Sequence, residues 1–135
     1  RDRDVTGVQT CALPICGMDL KTAIKTYQFA ERAKSELIVG SQLTTALIQF
    51  PIQEKPGGKR MLLMVLESIR SEIVFAYGNT ELAEFKRATD HLNEAISLTE
   101  SMELGSASER ISKAVSAVTT AAQAAWETLK QHELI

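Results

Sequence analysis

Apolar residues recur at spacings of three and four along most of this chain, and the points where that rhythm stops divide it into helical segments. The first opens at Asp19, a residue suited to capping, and carries Leu20, Ala23, Ile24, Tyr27, Ala30, Ala33 and Leu37 on one stripe. Gly40-Ser41 predicts a break, after which Leu43, Ala46, Leu47 and Phe50 restart the pattern and Pro51 ends it. A polar loop is expected over 51–58, then a second helix from Lys59 to about Tyr77. Twelve of the seventeen residues from Met61 to Tyr77 are apolar. One stripe is Leu62, Leu66, Ile69, Ile73 and Tyr77, and a second apolar group, Leu63, Met64, Val74 and Phe75, falls on other faces. A helix that is apolar on most sides is either central in its fold or shared with a partner.

Gly78 reads as a helix terminator, with Asn79 or Thr80 capping a third helix. Its seam, Leu82, Phe85, Thr89, Leu92, Ile96 and Thr99, steps as a bundle requires, and Gly105 is expected to close it. Ser106 and Glu109 have capping-box spacing ahead of a fourth helix. Its inner face is Ile111, Ala114, Val118, Ala122, Ala125 and Leu129. The short connections between long segments favour antiparallel neighbours. The expected fold class is therefore all-α: an antiparallel up-down-up-down four-helix bundle with its first helix broken at Gly40-Ser41, the second helix being the most buried.

The first sixteen residues do not follow this rhythm. Val5–Ile15 reads VTGVQTCALPI, which resembles one translated frame of a short-read sequencing-library adaptor over eleven consecutive residues. The resemblance implies that 1–16 is a non-native segment and that 17–135 forms a single helical domain. Both cysteines, Cys11 and Cys16, lie inside that segment, so the remainder has no thiol for a disulfide, a zinc site or nucleophilic catalysis. Setting the segment aside lowers Lys+Arg from 15 to 13 and Asp+Glu from 17 to 15, leaving the net charge at −2. Such a balance lacks the basic excess of a generic nucleic-acid binder. No apolar run reaches a membrane span, so a soluble, cytoplasmic protein is expected.

Few residues suggest chemistry. Lys55, Gly57, Gly58, Lys59 and Arg60 bring glycine and cations together at a helix start, a pattern that suits an anion nest. The pattern is not a phosphate-binding Walker loop, because Gln53 and Arg60 replace its first glycine and its hydroxyl residue. Histidine occurs only at His91 and His132. Ala88 stands where a di-iron bundle would place the glutamate paired with His91, so neither metal nor cofactor is expected. Arg87 and His91 resemble the Arg-x(4–6)-His signature of the HEPN four-helix ribonucleases, although the spacing is one residue short. That resemblance implies an RNA-cleaving site in a dimer cleft, whereas the seam spacing puts both residues on an exposed outer flank. Glu67 and Arg70 are spaced to pair on one face of the second helix. Trp126 is expected to pack along the fourth helix with Val115, Ala122 and Leu129. The reading favoured by these residues is a non-catalytic bundle that acts by protein–protein contact, with a homo-oligomer as the simplest form. Leu63, Met64, Val74 and Phe75 are its interface. A HEPN-like ribonuclease and an adaptor binding an anion at Lys55–Arg60 are the alternatives.

Overall fold

The computed structural model describes residues 18–135, and the adaptor-like stretch 1–16 lies outside the described residues. Four helices pack together: α1 (Leu20–Ile48), α2 (Lys55–Thr80), α3 (Ala83–Glu100) and α4 (Leu104–Gln131). A single 3-10 turn, Ile52–Glu54, joins the first two, and no strand occurs among the described residues. Helix α1 starts where Asp19 Oδ1 accepts the Thr22 amide at 2.7 Å. That bond holds the Asp19 carboxyl below its usual range, since it favours the charged form.

The expected break in the first helix is absent, because α1 runs continuously from Leu20 to Ile48. Gly40 is buried on the same stripe as Ala33, Leu37, Thr44 and Leu47. A Cβ at Gly40 would lie 3.3 Å from Leu66 Cδ2 and 3.5 Å from Ile69 Cδ1, so this is a point of close approach to α2. Glycine in a helix interior costs about 1 kcal/mol relative to alanine. Burying the large neighbours on either side outweighs that penalty at roughly 1.5–3 kcal/mol per side chain.

The other glycines among the described residues are also helical rather than terminal. Gly57 and Gly58 lie inside α2, so the loop expected over 51–58 is a 3-10 turn leading directly into helix. Gly78 is helical too, and Gly105 sits in the first turn of α4, where Ser106 and Glu109 are already inside the helix. The reversals fall on Glu81 (φ 57°) and Met102 (φ 62°), side-chain-bearing residues in the left-handed region. At the second, the Glu103 amide donates back to Leu98 O at 2.8 Å and closes the end of α3.

Each helix touches two neighbours: α1 packs on α2 and α4, and α3 packs on the same two. The backbones of the diagonal pairs α1–α3 and α2–α4 do not approach each other closely among the described residues. Contact levels run in opposite order along α1–α2 and along α2–α3. Gly58 lies beside Leu47 while Arg32 reaches Glu72; Lys59 reaches Glu100 O while Arg70 reaches Asn93. The inner stripes read from the sequence hold for α4, where Ile111, Ala114, Val118, Ala122, Ala125 and Leu129 are all buried. In α2, Leu62, Leu66, Ile69 and Ile73 are buried, but Ala76 rather than Tyr77 completes the stripe.

The expectation that the second helix is the most buried is overturned. Helix α2 buries five residues, α4 ten, six of which are alanine. Alanine lets α4 sit close to both neighbours, whereas α2 carries large apolar groups that point away from the core.

Candidate interaction face

Among the described residues, every exposed large apolar side chain lies on α1, on α2 or in their connection, apart from Leu134 and Ile135 at the tail. Helices α3 and α4 present none. The most accessible on the helices are Met61 and Met64 at 64% and Phe75 at 63%. Met61, Met64 and Val39 line a groove of about 460 Å³ between α1 and α2, floored by Val65 and Ile69. Farther along the same face, Phe75 stands edge-on to Phe29 of α1, with ring centroids 5.9 Å apart.

Between these two apolar stretches lies a small ionic group. Arg32 Nε is 2.9 Å from Glu72 Oε1 and 3.5 Å from Glu36 Oε2. Glu36 also lines the groove, and its Oε1 is buried without a hydrogen-bond partner. Partial burial pushes the Glu36 carboxyl up, the neighbouring Glu72 charge and a hydrogen bond with Glu72 add to that, and Arg32 pulls the other way. One cation thus faces two carboxylates at the middle of an otherwise apolar strip.

The four interface residues read from the sequence divide between two edges of α2. Met64 and Phe75 are on the edge described above. Leu63 is half-buried against the core, and Val74 shares its edge with Arg70, which donates to Asn93 Oδ1 of α3 at 2.9 Å. The pairing of Arg70 with Glu67 gives way to that contact. Val39, Phe29, Glu36 and Glu72 were not anticipated. Only the packing of α1 beside α2 brings Val39, Phe29 and Glu36 to the same face as Met64.

The glycine–cation cluster has a different setting from the expected nest. Lys55 Nζ donates to Ile48 O at 3.2 Å and Lys59 Nζ to Glu100 O at 3.1 Å. Both ammonium groups therefore answer free carbonyls at the C-terminal ends of α1 and α3. Gly58 is pressed against neighbouring side chains, where an added Cβ would meet Leu47 Cδ1 at 2.6 Å and Phe50 Cε2 at 2.9 Å. Gly57 has open space, and Arg60 is exposed.

Arg87 is exposed, as expected, whereas His91 is half-buried. Glu94 is paired with Arg110 of α4 at 3.0 Å. Arg87 Nη2 is 2.8 Å from Oε2 of Glu84, a carboxylate only 3% exposed, and the Nδ1 of half-buried His91 has no partner. His132 Nδ1 is 2.9 Å from Thr128 O at the end of α4. Trp126 is half-buried, with Lys130 Nζ 4.9 Å from its ring centroid. No group of three or more His, Cys, Asp or Glu among the described residues is placed to hold a metal ion. No helix among them is long and apolar enough to cross a membrane. Comparison with known protein families, curated proteins and solved structures yields no match.

Proposed function

We propose that residues 17–135 form a single antiparallel, up-down-up-down four-helix bundle that acts by protein–protein contact and self-associates. The opposite order of contact levels along neighbouring helices supports the topology. The observation that carries the function is the one-sided distribution of exposed apolar groups: Val39, Leu43, Met61, Met64 and Phe75 on α1 and α2, and none on α3 or α4. Isolated exposed apolar residues are ordinary, but their concentration on two adjacent helices favours an interaction site there.

Catalysis by Arg87 and His91 gains no comparable support. The Arg87 guanidinium is engaged by Glu84, and the His91 ring nitrogen at issue is buried rather than presented to a cleft. Nor do the lysines near Gly57 and Gly58 favour an anion site, since each already serves a helix end.

Sedimentation velocity of the full chain under reducing conditions at micromolar concentration tests the proposal. A dimer or higher species is expected, shifting to monomer when Met64→Glu and Phe75→Glu are combined. A monomer at all concentrations of the parent chain overturns it.

A further inference from the structure

We propose that Glu36 and Glu72 hold one proton between them, so that the contact of α1 with α2 acts as a proton-sensitive clasp, firmest when the proton is bound. The clasp lies within one chain and does not depend on self-association.

Three charged groups meet across the two helices. Arg32 of α1 has its Nε 2.9 Å from Glu72 Oε1 of α2 and 3.5 Å from Glu36 Oε2 of its own helix. Its Nη2 reaches the second oxygen of Glu72 at 3.5 Å, so the guanidinium favours Glu72. Glu36 is left with the weaker hold, and its Oε1 is buried without a hydrogen-bond partner. Ionised carboxylates only accept hydrogen bonds, so the bond between Glu36 and Glu72 forms only when one of them carries a proton. The geometry places that proton on Glu36, whose O–H then donates to Glu72 while Glu72 stays paired with Arg32. The proton comes from solvent, and the trio passes from one excess negative charge to none.

The neighbouring charged groups are engaged elsewhere. Ser35 on α1 and Ser68 on α2 line the same groove as Glu36, and both are neutral. On the other edge of α1, toward α4, Glu31 and Lys34 pair with each other. On the other edge of α2, Arg70 turns to Asn93 of α3. The Glu36 and Glu72 side chains are 31% and 35% exposed, which lets solvent deliver the proton yet screens the like charges incompletely. Burial and the Glu72 charge both push the Glu36 carboxyl up. A carboxyl raised in the fold contributes stability that is complete below its unfolded value and is lost as pH rises through the folded one. Acidification from neutrality therefore tightens the α1–α2 contact, the reverse of a carboxylate held down by an ion pair. It also removes the Glu36 charge from the wall of the groove.

The test uses the full chain with its cysteines reduced. Carbon-detected NMR of the glutamate carboxyls is expected to show Glu36 titrating above the exposed glutamates. Glu72→Gln is expected to bring that midpoint down, because the two carboxyls titrate as a unit. Chemical denaturation then compares the parent with Glu36→Gln, which keeps a donor and never ionises. At about pH 4 the two should unfold at the same denaturant concentration, and at about pH 7 the variant should need more. Glu67→Gln, the same charge change at an exposed position of α2, should show no such dependence on pH. A Glu36 midpoint among those of the exposed glutamates, or one that Glu72→Gln leaves in place, overturns the shared proton. A variant no more stable than the parent at about pH 7, or a Glu67→Gln that behaves alike, overturns the clasp. All measurements are repeated at a tenfold lower protein concentration, and a dependence on concentration would assign the effect to a second copy and overturn the pairing within one chain.

Discussion

Helices α2 and α4 stand on one diagonal of the bundle without close backbone approach, and they resolve the same packing problem with opposite side chains. Helix α4 turns Ala107, Ala114, Ala117, Ala121, Ala122 and Ala125 inward and keeps serine, threonine, glutamine and charge outside. Helix α2 turns Leu62, Leu66, Ile69 and Ile73 inward and still has Met61, Met64, Val74 and Phe75 outside. Small inner residues let a helix approach both neighbours so closely that little else needs burying. Large inner residues fill the core from fewer positions, and the remaining apolar groups of α2 stay on the surface. The outer apolar edge is thus an attribute of α2 that the other described residues leave uncovered, and α4 has no counterpart to it.

The largest effects should come from exchanging the two solutions. Leu66→Ala removes a fully buried side chain from the large-residue helix, and a loss of about 2–5 kcal/mol is expected from chemical denaturation. Ala114→Leu forces extra volume into the close-packed helix, where about 1–3 kcal/mol is expected. If Ala114→Leu were neutral and Leu66→Ala cheap, the contrast in packing would fail.

An intermediate effect should separate the ion pairs of the two regions. Arg87 answers a carboxylate, Glu84, that is almost wholly buried between α3 and its neighbours, so Arg87→Ala leaves a buried charge with no partner. A loss of about 1–3 kcal/mol is expected, moderated because Arg87 itself is half exposed. Arg32→Ala, on the open α1–α2 face, should change monomer stability by no more than about 0.5 kcal/mol. Thermal unfolding of the two variants side by side distinguishes them, and equal losses would contradict the difference in burial.

The smallest effect concerns two adjacent glycines of α2. At Gly57, with nothing near an added Cβ, alanine should stabilise by about 0.5–1 kcal/mol through helix propensity. At Gly58 the same change must displace Leu47, a buried core residue, and the gain should vanish or reverse. Equal gains at both positions would mean that the start of α2 packs less tightly on α1 than the contact at 2.6 Å implies.

Sequence alone determined what depends on neighbours three or four residues away. The helical class, the Asp19 cap with its bond to the Thr22 amide, and the inner stripe of α4 all follow from local hydrogen bonding and a 3.6-residue period. The composition of α2 likewise showed that it carries more apolar surface than one stripe can bury.

Tertiary structure alone decided where helices end and which side of α2 is left uncovered. Gly40, Gly57, Gly58, Gly78 and Gly105 all resemble breakers, yet all are helical, because a penalty of about 1 kcal/mol is small beside the burial of adjacent large side chains. The chain instead reverses at Glu81 and Met102, accepting a left-handed conformation that costs a side-chain-bearing residue about 1–2 kcal/mol. The candidate face was half legible for the same reason. Met64 and Phe75 could be picked out along one helix, but Leu63 and Val74 belong to another edge. Val39, Glu36 and Phe29 join Met64 and Phe75 only because α1 lies against α2, and sequence spacing within a single helix carries no information about which neighbour covers which edge.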